Sequence, residues 1–262
     1  MSTASEKTIA RIKKVLAKAK GTDSEHEAQV FYAHAAELMT RHQIEEHELG
    51  MDDEGHRAGG AVTTWTYRVT NSDNAGRQRV DLVFQVVTVM GGAMFRRSVK
   101  NATRSGIYFM DCVIYAEENT LEIIKELVPL VLLQAENGMT KGSADYRQRL
   151  RDMGLDAKTE NREFQTWRRS YLMGFGVDAA KKIKTARLGV VDEVMGSGKG
   201  EIVLKSESDR AREEMEKLVP NLKKGAKGRG INADGFLEGK KDGSRAMVGQ
   251  REVNNKRTAI SG

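Results

Sequence analysis

Residues 164–187, FQTWRRSYLMGFGVDAAKKIKTAR, place Phe164, Trp167, Tyr171, Phe175, Ala179 and Ile183 at steps of three and four. That period puts all of them on one side of an α-helix. A seam so long and so aromatic is stable in water only when other elements cover it, so the chain must build a core around this helix. Gly174 and Gly176 interrupt the same pattern, and each costs about 1 kcal/mol relative to alanine in a helix. Either the backbone packs closely there, against a sheet, or the glycines serve a functional bend or the approach of a ligand.

The rest of the chain supplies the elements that can cover such a seam. Ile9, Ile12, Val15, Leu16 and Ala19, then Ala28, Phe31, Ala35, Leu38 and Met39, form two helical stripes separated at Gly21. Thr22 and Ser24, with Glu25 and Glu27 three residues on, give capping boxes, so residues 1–50 read as a helical hairpin. A Gly- and Asp-rich linker follows at 51–60. Beyond it the period changes to two, with Trp65, Tyr67 and Val69 on one face of a strand. The segment RQRVDLVFQVVTVMGG fits both periods, and the helical reading is preferred. AMFRRSVK and SGIYFMDCVIYAEE read as strands. NTLEIIKELVPLVLLQAENGMTKG reads as a helix with Asn119 as cap, Glu122 at the third position and a kink at Pro129. Residues 143–161 are expected to be helical and exposed, GEIVLKSE a strand, Ser206 or Ser208 the cap of a further helix, and 232–246 a last helix. Helices and strands do not alternate regularly, so the fold class is α+β: a helical hairpin, a small mostly antiparallel sheet packed by long helices at 61–220, and a basic C-terminal segment at 221–262.

Chemistry is sparse. A single cysteine, Cys112, excludes an intramolecular disulfide and multi-cysteine zinc sites, in keeping with a reducing cytoplasm. It has no histidine nearby in sequence and reads as a buried, inert thiol. MSTASEKTIARIKK lacks the apolar core of a signal peptide, no apolar run approaches a membrane span, and no membrane partner is expected. The five histidines, His26, His34, His42, His47 and His56, all precede the linker. Eight-residue steps separate the first three by about 12 Å each on a helix, too far for one metal ion. His42 with Glu46 is a feasible i, i+4 pair, and together with Asp111 it defines one metal-dependent hydrolase or nuclease reading. MGSGKGEIV has Glu193 where a phosphate-binding loop needs its first glycine, and Gly200 after Lys199 where it needs Ser or Thr. No cofactor is indicated and no catalytic residue is assigned.

Charge is the more informative property. From Asn221 onward ten basic residues stand against four acidic ones, an excess equal to the +6 of the whole chain. Lys223, Lys224, Lys227 and Arg229 fall within seven residues and are spaced by glycines that let a backbone follow a phosphate ribbon; Lys240, Lys241 and Arg245 extend them. Arg96, Arg97, Arg168 and Arg169 could widen the surface. Phe236 is the one aromatic in the segment, which argues against base reading there. The leading expectation is a non-catalytic nucleic-acid-associated protein. The alternatives are a solvated or oligomer-facing segment, a protein-binding or structural role, and the hydrolase.

The stretch IARIKKVLAKAKGTDSEHEAQVFYAHAAELMTRHQIEEHEL resembles the two-helix module of a family of uncharacterised bacterial and phage proteins, the domain of unknown function twenty-seven eighty-six. The resemblance is carried by Glu27 and Ala28 opening the second helix, then Ala35, Leu38 and Met39, then Ile44. Residues 164–187 and the basic, glycine-spaced ending resemble the family's usual C-terminal companion more loosely, and the strand-rich middle departs from it. The resemblance implies an α+β protein of a phage or mobile element, acting in the host cytoplasm, with nucleic acid, a host protein or a second copy of itself as partner. As a protein-binding or structural component it would be a phage assembly part or an inhibitor of a host defence enzyme. It transfers no catalytic residue.

Overall fold

The computed structural model describes residues 61–100, 108–195, 199–222 and 230–247, with scattered helical positions between 7 and 38. Of the latter, Ile12 is buried in the main core, and Val15, Phe31 and Leu38 pack against it. The turn of the expected hairpin, its capping boxes and the 51–60 linker lie outside the described residues.

Three strands form the sheet: β1 (Val62–Thr70), β2 (Ala93–Lys100) and β3 (Tyr108–Glu117). Their order is β1-β3-β2, and both outer strands run antiparallel to β3. The outer strands are therefore parallel to each other, and helix α1 (Gly76–Val89) crosses between them, a split βαβ unit. The doubly periodic segment resolves as this helix because Val80, Leu82, Val83, Val86 and Val87 are all buried against neighbours on several sides. Its first turn is fixed from the preceding loop: Gly76 N–H donates to Asn71 Oδ1 (2.9 Å) and Ala75 N–H to Asp73 Oδ1 (3.2 Å).

β3 passes directly into α2 (Glu118–Asp152), which runs unbroken through Pro129. The expected Asn119 cap is not where the helix starts. Glu117 holds that position without a side-chain cap bond, because its carboxylate pairs with Arg210. The stretch expected to be exposed from residue 143 is largely the last two turns of α2, with Tyr146 and Leu150 buried. Only two apolar residues four apart mark those turns, too short a run for a period to stand out. The chain then returns after Gly154 (φ +67°) as α3 (Ala157–Met195). Asp156 Oδ1 accepts from Lys158 and Thr159 N–H and so caps α3. The seam read from sequence is buried along its length, with Trp167, Tyr171 and Ala179 fully enclosed. Tyr146 stacks on Trp167 (5.2 Å between centroids), and Tyr171 and Phe175 continue the ladder.

Helix α4 (Lys199–Leu218) replaces the expected strand at GEIVLKSE, and Ser206 and Ser208 lie inside it rather than at its start. The β-branched pair Ile202 and Val203 suggested a strand, but Ala211 and Met215 at helical spacing cover Ala93 and Tyr115 on the sheet face away from α1. Burial of that second face decides the outcome. MGSGKGEIV consequently joins two helices, not a helix to a strand, and no strand precedes it as a phosphate loop requires.

The last helix, α5 (Ala233–Ser244), falls within the expected 232–246. Gly235, Gly239 and Gly243, four apart, lie on α3 at Trp167, Tyr171 and Phe175, and a Cβ on any of them would overlap the carbonyl oxygen of its partner. Gly174 answers from α3, where a Cβ would overlap the Phe236 carbonyl. Two backbones thus touch along a shared stripe. Gly174 is there for close packing, as one sequence reading held, but against a helix and not the sheet. Gly176 likewise lies against Leu82 and Gln85 of α1.

Candidate nucleic-acid interface

The basic stretch is bracketed by α4 and α5. Lys223, Lys224, Lys227 and Arg229 lie outside the described residues, between Leu222 and Gly230. The far bracket is firmly set. Asn232 N–H donates to Ser170 Oγ (2.8 Å), its Nδ2 donates to Tyr146 Oη (2.9 Å), and its Oδ1 accepts from Gly235 N–H (2.9 Å) as the cap of α5. Lys240 is half-buried and pairs with Asp178 at 3.7 Å, whereas Lys241 and Arg245 are exposed one turn apart.

Of the three acids of α5, Asp234 in the first turn is exposed, and the other two point elsewhere. Asp242 Oδ2 accepts from Tyr171 Oη (2.6 Å), and burial, then this bond, raises the Tyr171 hydroxyl well above the ordinary phenol range. Glu238 lies 3.9 Å from Arg149, and burial pushes its carboxyl up, with Asp242, Asp145 and Asp234 adding to the effect. The helix therefore turns Glu238 and Asp242 inward and leaves Lys241 and Arg245 toward solvent.

The arginine pairs are divided. Arg96 and Arg97 are adjacent on β2 and so lie on opposite faces of the sheet. Arg97 Nη2 donates to Asp111 Oδ2 (3.1 Å), joined by Arg68 through Nε (2.7 Å) and Nη2 (3.1 Å). The hydrogen bonds from Arg68, working against burial, and those from Arg97 hold the Asp111 carboxyl below its usual range. Both of its oxygens are occupied by guanidinium groups, which takes it out of the metal-hydrolase reading. His42 and Glu46 of that reading lie outside the described residues, and among the described residues no three His, Cys, Asp or Glu side chains are grouped to hold a metal ion. Cys112 is fully buried, and burial, with the charges of Asp111 and Asp81, pushes its thiol up to about 12, so no reactive thiolate is available near neutral pH.

Arg168 Nη2 donates to Asp73 Oδ2 (2.6 Å), and Arg169 Nη2 to Thr166 Oγ1 (3.1 Å). Asp73 also takes two bonds from the buried Arg79 (2.6 and 2.7 Å), whose Nε reaches Glu136 (2.6 Å). This network ties the β1–α1 loop to α2 and α3. Burial alone would raise the Asp73 carboxyl, but the hydrogen bonds and charge of Arg79, helped by Arg168, hold it far below its usual value. A depressed folded-state value means the stabilisation is complete above the unfolded pKa of about 4 and is lost as pH falls below it. Asp73→Asn is expected to lower stability at pH 7 and to flatten the decline below about pH 4, as read from urea midpoints across that range.

Fold and surface together define an α+β protein with a basic segment bracketed by two helices. Residues 7–46 match the family described as "Protein of unknown function (DUF2786)", the stretch that holds Glu27, Ala28, Ala35, Leu38, Met39 and Ile44. No curated protein and no solved structure matches the chain. Among the described residues no helix is long and apolar enough to cross a membrane.

Proposed function

We propose that the chain is a non-catalytic nucleic-acid-associated protein that grips phosphate through Lys223, Lys224, Lys227 and Arg229, with Lys240, Lys241 and Arg245 secondary. The observation that carries this reading is the set of three hydrogen bonds at Asn232, which fixes one end of a stretch holding four cations and no acid. A tethered cationic stretch loses less freedom on meeting a polyanion than a free tail does. The inward turn of Glu238 and Asp242 supports the same field. The setting we propose is a phage or mobile element, with the protein acting in the host cytoplasm, on the resemblance of its N-terminal stretch.

Duplex DNA binding should weaken steeply with salt, the slope of log affinity against log salt falling by about 0.9 for each phosphate neutralised. The variant K223Q/K224Q/K227Q/R229Q is expected to make that slope shallower by about 3.6, read by fluorescence anisotropy. Binding that stays flat from low to moderate salt in the parent chain contradicts the proposal.

One observation favours a second reading, a protein-binding or structural component such as a phage assembly part or an inhibitor of a host defence enzyme. Leu218, Leu222 and Ile231 are exposed on either side of the basic stretch, and Leu237 is 63% exposed on α5. Aliphatic groups beside cations suit a protein surface. A symmetric oligomer by light scattering, with no retention on DNA, selects that reading.

A further inference from the structure

Helix α4 covers one end of the second sheet face, over Ala93, Tyr115 and their neighbours Val62, Phe95 and Val113. Among the described residues no element covers the remaining end, and it carries a built arrangement of charge. Arg68, Asp111 and Arg97 stand in one row across the three strands, since Asp111 is the register partner of both arginines. The Asp111 side chain is 1% exposed, while those of Arg68 and Arg97 are 56% and 62% exposed. In the next row Phe109 pairs with Thr70 and Val99, and the Arg68 guanidinium lies 5.7 Å from its ring centre. Thr64, Thr66 and Thr70 are exposed along the same face of β1.

Stability does not account for this row. Exposed ion pairs contribute about 0–1 kcal/mol, and burying a carboxylate costs more than placing an apolar residue there. Val113 and Phe109, two residues away on the same face of β3, show that the site accepts apolar side chains. What the buried carboxylate does accomplish is to hold two guanidinium groups in fixed orientation with donors left over. Two positive charges over one negative leave the face cationic. A phosphate fits the unused N–H groups, and a base fits Phe109 or the guanidinium planes. A nearly flat sheet surface takes bases that are splayed out, not paired within a duplex.

We infer that the open half of this sheet face is a second contact site for nucleic acid, one that takes a single strand, with phosphate on Arg68 and Arg97 and a base against Phe109. The inference rests on the nucleic-acid reading above and adds the class of substrate. Anisotropy with a fluorescent oligothymidylate of about 16 nucleotides, and with a duplex of similar length, tests it. Phe109→Leu is expected to weaken single-strand binding about fivefold or more by removing the stacking surface and to leave duplex binding unchanged. R68Q/D111N/R97Q, which removes the row's net single positive charge so that no carboxylate is left buried alone, is expected to make the single-strand salt slope shallower by about 0.7. Should that variant fail to fold, Phe109→Leu decides. Single-strand binding unchanged in the folded variants overturns the inference; if K223Q/K224Q/K227Q/R229Q has then lost duplex binding, the basic-segment reading stands. A parent chain that binds neither strand form overturns both.

Discussion

Gly239→Ala is expected to destabilise the protein by about 2 kcal/mol or more, although the same change in an open helix stabilises by about 1 kcal/mol. The sign reverses because the new methyl group would overlap the Tyr171 carbonyl, with the Phe175 nitrogen 2.9 Å away. Backbone atoms of a buried helix have little room to retreat. Gly189 supplies the contrast: it lies in α3, is exposed, and has nothing within 4 Å of its missing Cβ. Gly189→Ala is expected to stabilise by up to about 1 kcal/mol. Urea unfolding of the two variants checks the pair, and shifts of the same sign refute the backbone contact. On the proposed nucleic-acid reading, the change at Gly239 should also reach the basic segment. α5 holds Asn232, so displacing it leaves the four cations tethered at one end only, and duplex affinity falls with no change in charge.

Glu207→Ala is expected to cost about 3–5 kcal/mol. Arg187 and Glu207 have side chains only 5% and 4% exposed, and Arg187 Nη2 donates to Glu207 Oε2 at 2.6 Å. Arg187 also donates to the Val89 carbonyl (3.3 Å), so the pair closes the end of α1 against α3 and α4. Removing the carboxylate leaves a guanidinium buried without its counter-charge. Replacing both residues, as R187M/E207L, is expected to cost much less, because no charge then remains to be desolvated. Urea midpoints for the single and double variants separate an ion-pair contribution from simple packing; equal losses would show that volume alone matters. With α4 released, the sheet face over Ala93 and Tyr115 opens.

What could be read from the residues depended on whether the signal was local. The α3 seam was legible because six side chains repeat one period, and β1 because Trp65, Tyr67 and Val69 alternate. β3 was legible from its β-branched and aromatic run, and the charge of residues 223–229 is a property of composition. α4 was misread because its apolar Ile202 and Val203 stand at the start, while the residues that decide its conformation, Ala211 and Met215, answer to a sheet face elsewhere. The glycines of α5, Gly235, Gly239 and Gly243, stand at four-residue spacing in the sequence, but nothing was read from them. Their helical period pointed to a backbone-to-backbone contact. The row of Arg68, Asp111 and Arg97 was out of reach, since it exists only once β1, β3 and β2 have taken their register, and no local pattern announces a register.

The strand order also bears on how the chain matures as it is synthesised. β3 lies between β1 and β2, which have no hydrogen bonds to each other. Neither outer strand can be completed until residues 108–117 have left the ribosome, so the nascent polypeptide carries two open edges through that interval. The aromatic ladder of α3 must wait longer still for its glycine-striped cover. Until then Trp167, Tyr171 and Phe175 are a sticky surface that chaperones have reason to shield.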